Sequence, residues 1–254
     1  MVPHGDLDFH LCNLTSAIPA FVRISGHLMS FDLVGILFQM IAFLFAISVH
    51  ESAHAWTASR CGDPTARMLG RVSLNPIKHI DPIGTVLLPL VAAISHIPLL
   101  GWAKPTPVDP RNFRNPVRDD ILTSVAGPVS NFVVATGALI LLWIISLTSE
   151  TGHVLVHGMA SGMGGLSGSI LDPAVLLIYE LMIINIVLAV FNLIPVPPLD
   201  GSHVIRHFMS DSVRSVYDSI GIFGLLALVY LGGNLLSSLI RPFIYFYRSM
   251  MVAF

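Results

Sequence analysis

His50-Glu51-Ser52-Ala53-His54 sets two imidazoles four residues apart, with a carboxylate beside the first. On a helix, residues at i and i+4 lie on one face, so both rings can be aimed at a single ion. Two imidazoles, a carboxylate and one open position suit zinc, which lowers the pKa of bound water to about 7. Glu51 is placed to take a proton from that water. The chemistry implied is amide hydrolysis. HExxH also arises by chance on ordinary helices, but here it ends an apolar run from about Ser30 to Val49. In that setting ionisable groups are costly and mark function.

A third ligand must come from elsewhere. The extended form HExxHxxGxxH needs a glycine at 57 and a histidine at 60, where this chain has Thr57 and Arg60. A glutamate ligand would be Glu150 or Glu180, because Glu51 is the only other glutamate. Glu150 is expected in a loop between spans, and Glu180 inside an apolar helix beside Tyr179 with no neighbouring polar partner. Asp200 follows an apolar helix directly, in the turn Pro195-Val196-Pro197-Pro198-Leu199-Asp200-Gly201. There Gly201 permits a backbone that presents the carboxylate.

The elements that position these groups belong to a bilayer. The chain is 54% hydrophobic and 11% charged, against roughly 25% charged in soluble domains. Apolar windows of about 20 residues, enough to cross a hydrocarbon core, recur along it. The expected fold is mainly α, a polytopic membrane helix bundle with short irregular or β segments between helices. It forms one domain over 1–254, with a catalytic core at about 30–210 and a C-terminal membrane segment at about 218–254. Clean helices are expected at 121–147 and 174–194, separated by a Gly-rich stretch. A final apolar block covers 220–240, and Arg241-Pro242 sets it off from an aromatic tail. The N-terminus lacks a basic region leading into an apolar one, so no cleaved signal peptide is expected. A net charge of −2 and scattered basic residues exclude nucleic acid as a partner. Cys12 and Cys61 support neither a disulfide framework nor a CxxC site.

Crossing parity tests Asp200. A residue sharing an ion with His54 needs an even number of crossings between them, yet three apolar runs intervene: 83–100, 121–147 and 174–194. The count becomes two if the run 83–100, broken by Pro89 and Pro98, is a re-entrant loop beside the site. The same topology puts the basic loops 57–82 and 101–120 on one face, which the positive-inside rule makes cytoplasmic. Those polar, Gly- and Pro-rich loops are the expected path for water.

Three linked motifs resemble the site-2 proteases, intramembrane zinc metalloproteases: the HExxH helix, Ala126-Gly127-Pro128-Val129-Ser130-Asn131, and Asn192-Leu193-Ile194-Pro195-Val196-Pro197-Pro198-Leu199-Asp200-Gly201. The likeness runs in order over about residues 30 to 210. Gly62-Asp63-Pro64-Thr65-Ala66, Asn75-Pro76 and His79-Ile80-Asp81-Pro82 are similar to the small bacterial and archaeal members. The resemblance implies one zinc per chain on His50, His54 and Asp200, Glu51 as general base, and Asn131 as the asparagine that positions substrate or stabilises the oxyanion. It implies substrates that are transmembrane proteins. The chain has no room for the PDZ or CBS domain of larger members, so selection falls to the membrane core or to a regulatory membrane partner. Ser202-His203 stands where many members carry an arginine. With no acidic residue between His203 and His207, that pair is read as a helix surface near headgroups rather than a second metal site.

Two other classes fit parts of the pattern. A zinc transporter would place its ligands near the midplane of repeated halves, and no internal repeat is present. A non-catalytic binder of transmembrane helices would have no use for Glu51.

Overall fold

Among the described residues three helices are long and apolar enough to cross a membrane, Val34–Cys61, Pro116–Thr148 and Asp172–Asn192, and the bent pair Asp211–Gly221 and Phe223–Leu231 would make a fourth if it is one span. They appear in a computed structural model of the protein, which describes residues 33–95, 102–162 and 168–253. The expectations for the N-terminus, Cys12, Pro98 and the centre of the Gly-rich stretch lie outside those residues. In chain order the helices are α1 (Leu33–Cys61), α2 (Thr65–Met68), α3 (Leu88–Ser95), α4 (Pro116–Thr148), α5 (Glu150–Ser161), α6 (Asp172–Asn192), α7 (Asp200–Arg206), α8 (Asp211–Leu231) and α9 (Gly233–Met251). No strand occurs among the described residues, so the segments between helices are irregular rather than β.

The centre of the molecule is α1, α4 and α6. Ala42, Phe43, Ala46 and Ile47 of α1 pack on Ile184 of α6; alanines one turn apart let two backbones approach closely, the usual means of joining helices where the solvent is lipid. Leu139, Leu142, Val175, Met182 and Ile186 bury the contact between α4 and α6. The C-terminal helix α9 closes this core with polar contacts. Trp143 Nε1 donates to Met250 O at 2.7 Å, Tyr247 Oη meets Thr136 Oγ1 at 2.9 Å, and Arg248 Nε donates to Tyr179 Oη at 3.0 Å.

The described part of the proline-broken run, as far as Ser95, is not a helix of spanning length. A wide helical turn at Pro82–Leu87 leads into α3, and the two ends of the run are laced together. Trp102 N donates to Gly84 O at 3.1 Å, Thr85 Oγ1 to Trp102 O at 2.7 Å, and Lys104 N to His79 O at 2.9 Å. A segment whose ends meet leaves on the side it entered, as crossing parity requires. Gly84 is needed there, because a Cβ would stand 2.4 Å from Trp102 Nε1.

Two expectations are corrected. Glu150 is not in a loop but begins α5, whose first turn is capped by Ser149 Oγ accepting from Gly152 N at 3.2 Å. Within the apolar block 220–240, α8 bends by 65° at Gly221 and ends before Gly232. Arg241-Pro242 separates nothing, since α9 runs through both residues.

The two loops on the site's side are tied by Asp63, which is fully buried. Its carboxylate accepts from Thr65 N at 3.1 Å, Asp109 N at 2.8 Å and Asn112 Nδ2 at 2.9 Å, and from the Thr65 hydroxyl. Burial alone would raise this carboxyl, but the hydrogen bonds outweigh it and hold it below the ordinary carboxylate range. A depressed folded pKa contributes stability that is complete above the unfolded value of about 3.9 and fades as pH falls through the folded one. Asp63→Ala is expected to cost about 1–3 kcal/mol near neutral pH. Thermal melts in detergent should show the gap from the parent narrowing below about pH 4; a gap that widens on acidification would contradict the assignment.

Candidate metal centre

The C-terminal part of α1 carries His50, Glu51 and His54, and their ring positions follow from one helical turn. His50 Nε2 and His54 Nε2 stand 3.0 Å apart. Asp200, the first residue of α7, brings its Oδ2 to 3.1 Å from His50 Nε2 and 3.5 Å from His54 Nε2. No other group of three or more His, Cys, Asp or Glu side chains among the described residues is arranged to hold an ion. Glu180 is buried in α6 and takes Gln39 of α1 as its partner instead.

Local chain chemistry explains how Asp200 arrives. The turn after α6 closes with Val196 N donating to Ile194 O at 2.8 Å and Leu199 N to Val196 O at 2.9 Å. The first turn of α7 then lies against the end of α6, where a Cβ on Gly201 would stand 2.3 Å from Leu193 O. Glycine at 201 is therefore what lets the carboxylate reach the histidines. On the facing side Gly127 of α4 does the same for the rings, for a Cβ there would be 2.4 Å from His54 Nε2 and 2.7 Å from His50 Nε2.

The protons can be placed. His50 Nδ1 lies 2.6 Å from Asn131 Oδ1, and His54 Nδ1 lies 2.7 Å from Thr123 O. Both partners are acceptors, so both Nδ1 atoms carry hydrogen, and in the neutral form that binds a metal each ring turns its Nε2 lone pair toward Asp200. Asp200 Oδ2 is buried without a hydrogen-bond partner. Two lone pairs and an ionised oxygen thus converge with no proton between them, an arrangement that repels itself unless a cation is shared. Ligand atoms about 2.0–2.1 Å from a tetrahedral ion stand about 3.3–3.4 Å apart, close to the three separations found here. The donor set of two imidazoles and a carboxylate, with one position left open, fits zinc.

Glu51 faces a different segment. Its Oε2 accepts from Thr106 N at 3.0 Å and Thr106 Oγ1 at 2.6 Å. The residue sits in the extended stretch that follows the laced ends of the proline-broken run. Both bonds fall on one oxygen, so the other is free to take a proton.

Asn131 is fully buried; its amide donates to Asn185 Oδ1 at 2.7 Å and, at longer range, to Ala46 O at 3.4 Å, and its oxygen faces His50 Nδ1. His207 lies outside the centre. It is half-buried and meets Asp120 Oδ2 of α4 at 2.7 Å, fastening α7 to α4. Its acidic partner comes from another helix.

Sequence reasoning did not single out Thr106, Thr123 or Asn185. Thr123 acts through its carbonyl, which no side-chain pattern reports. Asn185 did leave a signal, as an amide within a largely apolar helix.

Comparison with known proteins agrees with this chemistry. The model of the family described as Peptidase family M50 matches residues 38–230. A Bacillus subtilis protein, YwhC, whose name gives it provisionally as a zinc metalloprotease, is 37% identical over 194 residues, 76% of this chain and 79% of its own length. Rip2 of Mycolicibacterium smegmatis, named in the same terms, is 28% identical over 200 residues, 78% of this chain and 68% of its own. The regulator of sigma-E protease RseP of Salmonella typhimurium is 31% identical over 129 residues, 45% of this chain and 28% of its own. No solved structure gives a significant match.

Proposed function

The chain belongs to peptidase family M50, the site-2 family of intramembrane zinc metalloproteases, and from that premise we propose that it cuts transmembrane protein substrates at a centre held by His50, His54 and Asp200 beside the base Glu51. The observation that carries this reading is the convergence of two Nε2 lone pairs and an unpartnered carboxylate oxygen on one point. RseP is named for proteolysis in the regulation of sigma-E; we take a membrane-protein substrate for this chain by analogy.

A zinc held by these three side chains supplies a Lewis acid and water acidic enough to attack an amide at neutral pH. The protein's own residues do the rest. Glu51 takes a proton from the attacking water on its free oxygen while Thr106 holds the other. As the C–N bond breaks, Glu51 returns that proton to the leaving amine. Thr123 and Asn131 keep both rings in the tautomer that leaves Nε2 free, the part commonly played by groups behind metal-bound histidines. Asn131 is a positioning residue in this scheme.

We place the site near the cytoplasmic face, because the basic loops 57–82 and 101–120 lie on its side. A substrate helix must unwind there to present an extended segment. Residues about 30–210 form the catalytic core in this reading, and 218–254 a C-terminal membrane segment.

The test uses purified full-length protein in detergent with a transmembrane-helix reporter. Chelation should abolish cleavage and added zinc should restore it. Asp200→Ala should weaken zinc binding by about 100-fold or more, the loss of one of three protein ligands. Unchanged zinc affinity would show that another residue completes the site.

A further inference from the structure

His54 and His50 face the same chemical requirement and meet it by different routes. His54 places its Nδ1 proton on a main-chain carbonyl, Thr123 O, which can only accept. His50 places its proton on an amide oxygen, Asn131 Oδ1. A side-chain amide can turn over and offer its NH2 instead, which would drive the proton to Nε2 and block that nitrogen as a ligand. Something must hold Asn131 the right way round.

The shorter of two holding contacts is Asn185; the other, Ala46 O, accepts at 3.4 Å. Asn131 Nδ2 donates to Asn185 Oδ1 at 2.7 Å, and Asn185 Nδ2 donates to Leu181 O, one turn back in α6, at 2.7 Å. Leu181 O can only accept, so Asn185 must give it the NH2 and turn its oxygen toward Asn131. Asn131 must then give its NH2 to Asn185 and its oxygen to His50. Each link has one possible polarity, and the series ends on His50 Nδ1, which leaves Nε2 free at the metal point. Both amides are fully buried, so no bulk water competes for their positions.

We propose that Asn185 of α6 is a positioning residue that fixes the tautomer of His50 through Asn131, and so keeps His50 Nε2 available to the metal. The proposal rests on the metal reading above. It makes α6, which supplies no ligand side chain of its own, a determinant of metal affinity, linking the three central helices in order α6, α4, α1.

The test uses full-length protein in detergent with 15N-labelled histidine, read without metal by NMR, together with zinc affinity by competition with a chelator. The His50 signals are assigned by their loss in His50→Ala. In the parent, His50 should carry its proton on Nδ1. Asn185→Leu, an apolar replacement in an apolar helix, should populate the Nε2–H form and weaken zinc binding by about 10–100-fold, with one zinc still bound at saturation. Asn185→Asp, which in its protonated form can make both bonds, should leave both readouts near the parent. Asn131→Asp supplies an oxygen that only accepts, so in that background Asn185→Leu should change zinc affinity by less than about twofold. A equal loss in both backgrounds would show that Asn185 acts through packing, and an unshifted His50 proton in Asn185→Leu would overturn the relay. Zinc binding indifferent to His50→Ala would instead overturn the metal reading, and the tautomer, read without metal, would still decide the relay.

Discussion

Glu51→Gln is expected to bind one zinc per chain with near-parental affinity and to cleave a transmembrane reporter about 10²–10⁴-fold more slowly, the usual contribution of a positioned general base. The amide can still accept from Thr106 through its oxygen, so the segment carrying Thr106 keeps its anchor on α1. What the variant loses is the ability to take a proton from water and deliver it to the amine. Single-turnover cleavage at saturating zinc, with metal content measured on the same sample, separates chemistry from binding. Cleavage within a factor of about ten of the parent would remove Glu51 from the role of base.

Gly127→Ala is expected to destroy the metal centre without unfolding the bundle. The added Cβ would lie 2.4 Å from His54 Nε2 and 2.6 Å from His50 Cε1, closer than non-bonded atoms approach, and it is fixed to the backbone of α4. The rings are the parts that yield. Zinc affinity should fall by about 100-fold or more, and cleavage should vanish at ordinary zinc concentrations. Alanine is the better helix former by about 1 kcal/mol, so helical content should persist. Gly137→Ala is the control in the same helix, because a Cβ there meets nothing within 4 Å. A Gly127→Ala protein that binds zinc as the parent does would mean that α4 does not lie against the rings.

What could be read from the sequence divides by the range of the interaction. His50, Glu51 and His54 are legible because one helical turn sets their geometry. Asp200 lies 146 residues beyond His54 and is legible only indirectly, through elimination of the glutamates, the resemblance of its motif, and topology, since sharing an ion dictates crossing parity and parity demands that the run 83–100 turn back. The hydrogen bonds between Trp102 and Gly84 and between Lys104 and His79 meet that demand. Thr106 and Asn185 obey no such constraint. Each meets its partner across more than 50 residues through a side chain of common type. Composition also misled: the glycines after 158 concealed the Ser149 cap that starts α5, and Pro242 looked like a terminator although α9 passes through it.

The carboxylate of Asp200 comes from the far end of α6, after every other part of the centre. During synthesis α1 emerges first with both imidazoles and the base, then the stretch bearing Thr106, then α4 with Gly127 and Asn131. A nascent chain shorter than 200 residues has two of the three protein ligands, and Asn185 is also among the last residues to appear. Placing the last ligand behind α6 means that the metal centre cannot be completed until α1, α4 and α6 have all been made.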